Sequence, residues 1–182
     1  DPAFAGADTW STSYVLAEAI KKKGKQDVII CGERATDGDT GQVGPGIAAW
    51  LDLPIASYVS KIIDCKPKSL IVKRLVEDGY ETIKIETPCV LTVVKEIAYP
   101  RLPTLRGKKK SRRIEIPVWT VEDLKVDKDK LGLKGSPTRV VKIKKPVITR
   151  NGEIRKPKDE TELEKDLNGL IDYIKKIDIL QE

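Results

Sequence analysis

The chain has 182 residues, a net charge of +6 from 34 Lys plus Arg against 28 Asp plus Glu, three cysteines and no histidine. Without histidine neither a Ser-His-Asp nor a Cys-His nucleophile can be assembled, and Cys31, Cys65 and Cys89 are too scattered for a zinc site or a C-x-x-C pair, so redox chemistry here requires a bound cofactor and the thiols fit a reducing cytoplasm. No stretch reaches the roughly 18 consecutive apolar residues of a membrane span and no signal-peptide pattern opens the chain; an aromatic content of 5% argues against nucleic-acid binding, the positive charge suits a phosphate-bearing ligand or an acidic protein surface, and the Lys- and Glu-rich, Met-free composition resembles heat-adapted proteins.

In chain order, residues 8–23 read as an amphipathic helix. Asp8 is its N-cap, Val15, Leu16, Ala19 and Ile20 share a face, three lysines close the last turn, and Gly24 stops it. Val28-Ile29-Ile30-Cys31 reads as a strand buried on both faces. Next comes Gly32-Glu33-Arg34-Ala35-Thr36-Asp37-Gly38-Asp39-Thr40-Gly41-Gln42-Val43-Gly44-Pro45, a glycine-rich loop, and a helix over 46–51 with Pro45 at its start. A strand is predicted over 56–62, a β-hairpin over 69–76 and 80–86 about Glu77-Asp78-Gly79, and a buried strand over 90–94.

Beyond it, Tyr99-Pro100-Arg101-Leu102-Pro103-Thr104-Leu105-Arg106-Gly107 is a proline-marked loop leading into Lys108, Lys109, Lys110, Arg112 and Arg113. A strand over 114–118, a capped helix over 120–124 and a further strand over 139–143 are expected. Residues 125–158 otherwise show no sustained period and read as an arm. The chain closes with a helix whose Thr161 and Glu164 have capping-box spacing and whose Leu163, Leu167, Leu170, Ile171, Ile174 and Ile177 follow a 3.6-residue rhythm. The whole predicts an α/β fold with a parallel sheet flanked by helices, divided into a main domain over 1–124 and an arm with its helix over 125–182.

Strand, glycine-rich loop and helix in succession form the place where doubly wound proteins bind ligands. Gly38, Gly41, Gly44 and Gly46 permit positive φ and close approach, and the helix N-terminus offers unpaired N–H groups to a phosphate. Asp37 and Asp39 would repel phosphate, so they are expected to accept bonds from ribose hydroxyls or loop amides. The loop is neither a Walker A nor a G-x-G-x-x-G; from chemistry alone, a tight turn with an Asp capping the next helix reads equally well. The basic cluster reads as a solvated face, or as cations ringing Leu105, an apolar anchor for a docking partner. Cys31 reads as a core hydrophobe and Glu77-Asp78 as a hairpin tip. A stand-alone ATP-binding α/β module remains the alternative function.

The loop from Asp37 to Pro45 resembles the nucleotide-binding loop of electron transfer flavoprotein β subunits. Val72-Lys73-Arg74-Leu75-Val76-Glu77-Asp78-Gly79-Tyr80-Glu81-Thr82-Ile83, continuing to Pro88-Cys89-Val90-Leu91-Thr92, is similar to that family's long diagnostic pattern. So are Phe4-Ala5-Gly6-Ala7-Asp8-Thr9 and the segment from Pro100 to Lys108. The resemblance implies a Rossmann-like domain, of the adenine nucleotide α-hydrolase type, paired with an α subunit that carries a redox FAD and is wrapped by the C-terminal arm. It implies an electron carrier between NADH or dehydrogenases and a partner dehydrogenase or quinone oxidoreductase, not an enzyme acting alone. Asp8, Thr9 and residues Gly32, Glu33, Arg34, Ala35, Thr36, Asp37, Gly38, Asp39, Thr40, Gly41, Gln42 and Val43 would surround AMP or a second FAD. Gly-Asp-Thr-Gly-Gln-Val-Gly-Pro is closer to the electron-bifurcating, nitrogen-fixation-associated branch, which favours FAD. Leu105, with Arg101, Arg106 and Lys108, corresponds to the family's partner-docking loop. The family's further β/α units ahead of the segment matching Phe4 are expected to be missing here.

Overall fold

The computed structural model describes residues 1–144, 152 and 154–176. They fall into two compact units, one over Asp1–Val141 and one over Lys142–Glu182. The first is α/β: helix α1 (Thr9–Lys23), strand β1 (Val28–Gly32), helix α2 (Val43–Leu51), strands β2 (Ile55–Lys66), β3 (Ser69–Val76), β4 (Gly79–Glu86) and β5 (Cys89–Val93), and short helices α3 (Leu105–Ser111) and α4 (Val121–Leu124). The sheet runs β1-β5-β2-β3-β4. It is mixed: β5 is parallel to both β1 and β2, whereas β2, β3 and β4 form an antiparallel meander. The parallel half carries the Rossmann-like character; the expected hairpin supplies the other half, with Val76 opposite Gly79 across a two-residue tip.

The central strand fixes the core. Cys89, Val90, Leu91 and Thr92 of β5 are all buried, as a strand with a neighbour on each side must be when both faces are covered. Cys89 and Leu91 pack with Ala56, Val59, Leu70, Val72 and Ile85. The edge strand β1 is different. Its apolar run predicts burial on both faces, yet among the described residues it pairs only with β5, and Ile30 is 61% exposed. The pattern reports strand propensity; burial depends on neighbours that the pattern does not encode.

Helix α1 starts as predicted, with the Asp8 carboxylate accepting hydrogen bonds from Trp10 N (3.0 Å) and Ser11 N (3.1 Å). Its buried face is shifted from the expected one: Ser11, Ser13, Tyr14 and Ala17 are buried, Val15 and Ala19 are partly buried against the second core, and Leu16 is exposed. The reason is the close approach of α2. Ser13 Oγ donates to Thr9 O and Val43 O, and a Cβ at Gly46 would collide with Ser13. Small residues bring the two helices together where large ones would hold them apart. Tyr14 forms a second core with Val121, Leu124, Val126 and Leu131, and its hydroxyl accepts a hydrogen bond from Asp127 N at 3.0 Å.

Neither the strand expected over 114–118 nor one over 139–143 forms: both segments are irregular and almost wholly exposed. Alternating apolar residues stay extended without a sheet edge to pair with. In the second unit, α5 (Glu160–Lys176) presents Leu163, Leu167, Leu170 and Ile171 half-exposed along one side. It is capped two residues earlier than predicted. Asp159 Oδ1 accepts from Glu162 N at 2.8 Å, and Glu162 Oε2 accepts from Lys158 N at 2.9 Å. Ile177 lies outside the described residues.

Candidate functional site

The parallel strands end together. Cys31 of β1 lies opposite Thr92 of β5, and Gly32 opposite Val93; the loop over 33–42 leaves β1 at this carboxyl edge and returns as α2. Ligands of open α/β sheets bind outside such an edge. The loop is largely solvent-facing, with Thr36, Asp37, Gly38 and Thr40 exposed.

Its shape is set by a few local bonds. Asp39 N donates to Ala35 O at 3.0 Å, Asp37 Oδ1 accepts from Gly38 N at 2.8 Å, and Arg34 Nε pairs with Asp39 Oδ1 at 3.2 Å and more loosely with Glu33 Oε1 at 3.9 Å. Asp37 therefore accepts from a loop amide as anticipated, while Asp39 faces the Arg34 cation. The chain turns left-handed at Asp39 (φ 50°) and Gly41 (φ 63°). Only the second is a glycine; an Asp at the first is tolerated because its short polar side chain suits that region.

The other glycines act differently from the expectation. Gly44 and Gly46 belong to α2 and are not in the left-handed region. A Cβ at Gly44 would collide with the Thr92 methyl, and one at Gly46 with Ser13. They seat the helix against β5 and α1. Their absent side chains thus lower the start of α2 onto the sheet edge, and the backbone N–H groups of Val43 and Gly44 have no helical acceptor there. Gln42, the N-cap, makes no side-chain cap bond; its Oε1 accepts from Thr9 Oγ1 at 2.8 Å. Thr9 is thereby brought to the loop.

Asp8 is placed otherwise. Its Oδ2 accepts from Thr138 N (3.0 Å) and Thr138 Oγ1 (2.9 Å), while Oδ1 caps α1. Burial pushes its carboxyl up, but the hydrogen bonds from Ser11, Thr138 and Trp10 outweigh that and hold it below the ordinary value of 3.8. This carboxylate is engaged in structure. Burial alone pushes the Cys31 and Cys89 thiols up, which suits inert packing groups rather than nucleophiles.

Two residues at the edge are not visible from sequence. Thr92, fully buried, carries Gly44 on its methyl and accepts at Oγ1 from Tyr58 N at 2.9 Å. Tyr58 is left-handed (φ 58°), and a Cβ on Gly41 would stand 3.2 Å from its hydroxyl. An aromatic residue within a strand gives no signal of such a turn.

Elsewhere on this unit, Thr104 Oγ1 accepts from Gly107 N at 3.0 Å and starts α3. Leu105 on its first turn is 86% exposed. Arg101, Arg106 and Lys108 are exposed beside it in sequence. Arg106, Lys109, Lys110, Arg113 and Ile114 line a shallow depression of about 410 Å³. Among the described residues, none of Lys108, Lys109, Lys110, Arg112 and Arg113 forms an ion pair. A charged surface of one sign around exposed apolar groups can steer and seat an acidic partner. There is no group of metal-ligating side chains among the described residues, and no described helix is long and apolar enough to cross a membrane.

Residues 1–124 match the model of the electron transfer flavoprotein domain. The chain is 48% identical over 155 residues to the electron transfer flavoprotein subunit beta of Thermoanaerobacterium thermosaccharolyticum, covering 85% of this chain and 59% of that protein. It is 43% identical over 154 residues to the caffeyl-CoA reductase-Etf complex subunit CarD of Acetobacterium woodii, covering 85% and 58%, and 37% identical over 153 residues to protein FixA of Azorhizobium caulinodans, covering 80% and 54%. The chain thus spans a little over half the length of these relatives.

Proposed function

This chain belongs to the electron transfer flavoprotein family, and from that premise we propose that it is the β subunit, or a large part of it, of an electron-carrying heterodimer. The observation that carries the proposal is the turn from Gly32 to Val43. It is held at the carboxyl edge of three parallel strands, inside the matched domain. A phosphate-bearing adenine cofactor fits it on two counts: Gly41 leaves no side chain in the bend, and the start of α2 offers N–H donors.

In this reading the loop holds FAD or AMP, and the α subunit holds the FAD through which electrons pass. FAD supplies the ability to take electrons in pairs and release them singly. The β chain's own part is to bind and orient the nucleotide, to meet the α subunit through its arm, and to dock a dehydrogenase or quinone oxidoreductase at Leu105. We favour FAD in the loop and hence bifurcation of electrons received from NADH, on the resemblance of Gly-Asp-Thr-Gly-Gln-Val-Gly-Pro to the bifurcating branch of the family. Exposed, unpaired Cys65 suits a cytoplasmic location.

The test is the visible spectrum of the complex copurified with its α subunit. Two flavins per dimer are expected for FAD in the loop, and one flavin plus AMP for the other branch. A complex with no flavin would overturn the proposal.

A further inference from the structure

Tyr58 occupies a backbone conformation its side chain opposes. It is a bulky aromatic residue at φ 58° within β2, a region that non-glycine residues of this size enter only when their surroundings impose it. The imposition is visible in the register. Ala56 pairs with Leu91 and Val59 with Val93, so three steps on β2 match two on β5. This is a bulge, a device that re-aims a side chain. Without it, Tyr58 would share the phase of Ala56 and enter the core; with it, Val59 takes the core position and is fully buried. The bond from Tyr58 N to Thr92 Oγ1 locks the displaced turn.

The side chain is thereby delivered to the loop, its hydroxyl next to Gly41, where any Cβ would crowd it. Tyr58 is 39% exposed, and its hydroxyl makes no hydrogen bond to the described residues. A strained residue with an unused donor, aimed at a glycine in the bend, is what a ligand contact requires.

We infer that Tyr58 is a further nucleotide-contacting residue of the proposed site, its hydroxyl donating a hydrogen bond to the sugar–phosphate part of the adenine cofactor. The inference rests on the reading of the loop as a nucleotide site. It also gives the glycine at 41 a second cause: the missing Cβ leaves the phenol its place.

The experiment is calorimetric titration of the purified protein with AMP, the moiety that FAD shares, comparing wild type, Tyr58→Phe and Tyr80→Phe. Phenylalanine keeps the ring and the backbone conformation and removes only the donor. Tyr58→Phe is expected to bind AMP about tenfold more weakly, with an unchanged Tm, and Tyr80→Phe on β4 to bind as wild type does. Equal affinity in Tyr58→Phe, or equal loss in both variants, overturns the inference while the loop remains a nucleotide site. Wild type that takes up no AMP overturns the loop reading and this inference with it.

Discussion

The edge around Thr92 and the segment over 99–118 have opposite economies. At the edge the backbone is pinned by close contacts: Gly44 sits on the Thr92 methyl, Gly46 on Ser13, Tyr58 N on Thr92 Oγ1, and Gln42 on Thr9. Along the segment almost nothing closes. Tyr99 is 99% exposed, Leu102 92% and Leu105 86%. Scattered apolar residues on a surface mean little, but a run of them beside cations that make no ion pair with the described residues can serve as a docking surface. The first region is held by its own packing and the second is the surface we propose a partner completes, so substitutions in the two should fail in different assays.

The largest effect is expected where packing is tightest. Gly44→Val forces a branched side chain into Thr92 and should cost about 3 kcal/mol, measured by chemical denaturation. A variant as stable as wild type would show that α2 can lift off the sheet, and the closed region would not be closed. Leu105→Ala inverts the pattern: stability should hold within about 0.5 kcal/mol, while transfer to a docked dehydrogenase falls by about 2 kcal/mol in apparent binding, roughly 30-fold. Unchanged transfer in stopped-flow kinetics would remove the docking role.

Asp8→Ala should cost about 1 kcal/mol through the lost N-cap and should alter the acid limb. The folded carboxyl lies below 3.8, so its contribution is complete above the unfolded value and is lost as pH falls through the folded one. Wild type should therefore lose stability faster than the variant below about pH 4; parallel acid limbs would show that Thr138 and the helix amides do not favour the ionised form. The smallest effect is Gly38→Ala. Nothing stands within 4 Å of its Cβ position and its φ is not positive, so stability should change by less than about 0.5 kcal/mol, and a larger loss would mean that the loop is packed as tightly as the edge.

Much of this was legible in the residues. The Asp8 cap, the Lys-rich end and Gly24 bound α1 as predicted, and the Glu77-Asp78-Gly79 tip gave the hairpin its register, because caps and turns depend on local chemistry. Burial was legible only where packing followed the pattern. Leu16 reads as core and is exposed, whereas Ser13 reads as polar and is buried, because α2 approaches on the serine side through Gly46. Within the loop, glycine content pointed to the right segment but to one cause where there are two: Gly41 bends the chain, while Gly44 and Gly46 pack it. Tyr58 carried no signal, since a bulge is a property of two strands together and only one of them contains the tyrosine.

The central claim, that the bend from Gly32 to Val43 holds an adenine nucleotide, is tested most directly by native mass spectrometry of the protein purified with its partner subunit, wild type beside Gly41→Val. The account predicts one AMP or FAD on the wild-type β chain, absent from the variant, in which a branched side chain meets both a left-handed φ and the Tyr58 hydroxyl. A wild-type β chain with no nucleotide mass, or one retained equally by Gly41→Val, would contradict it.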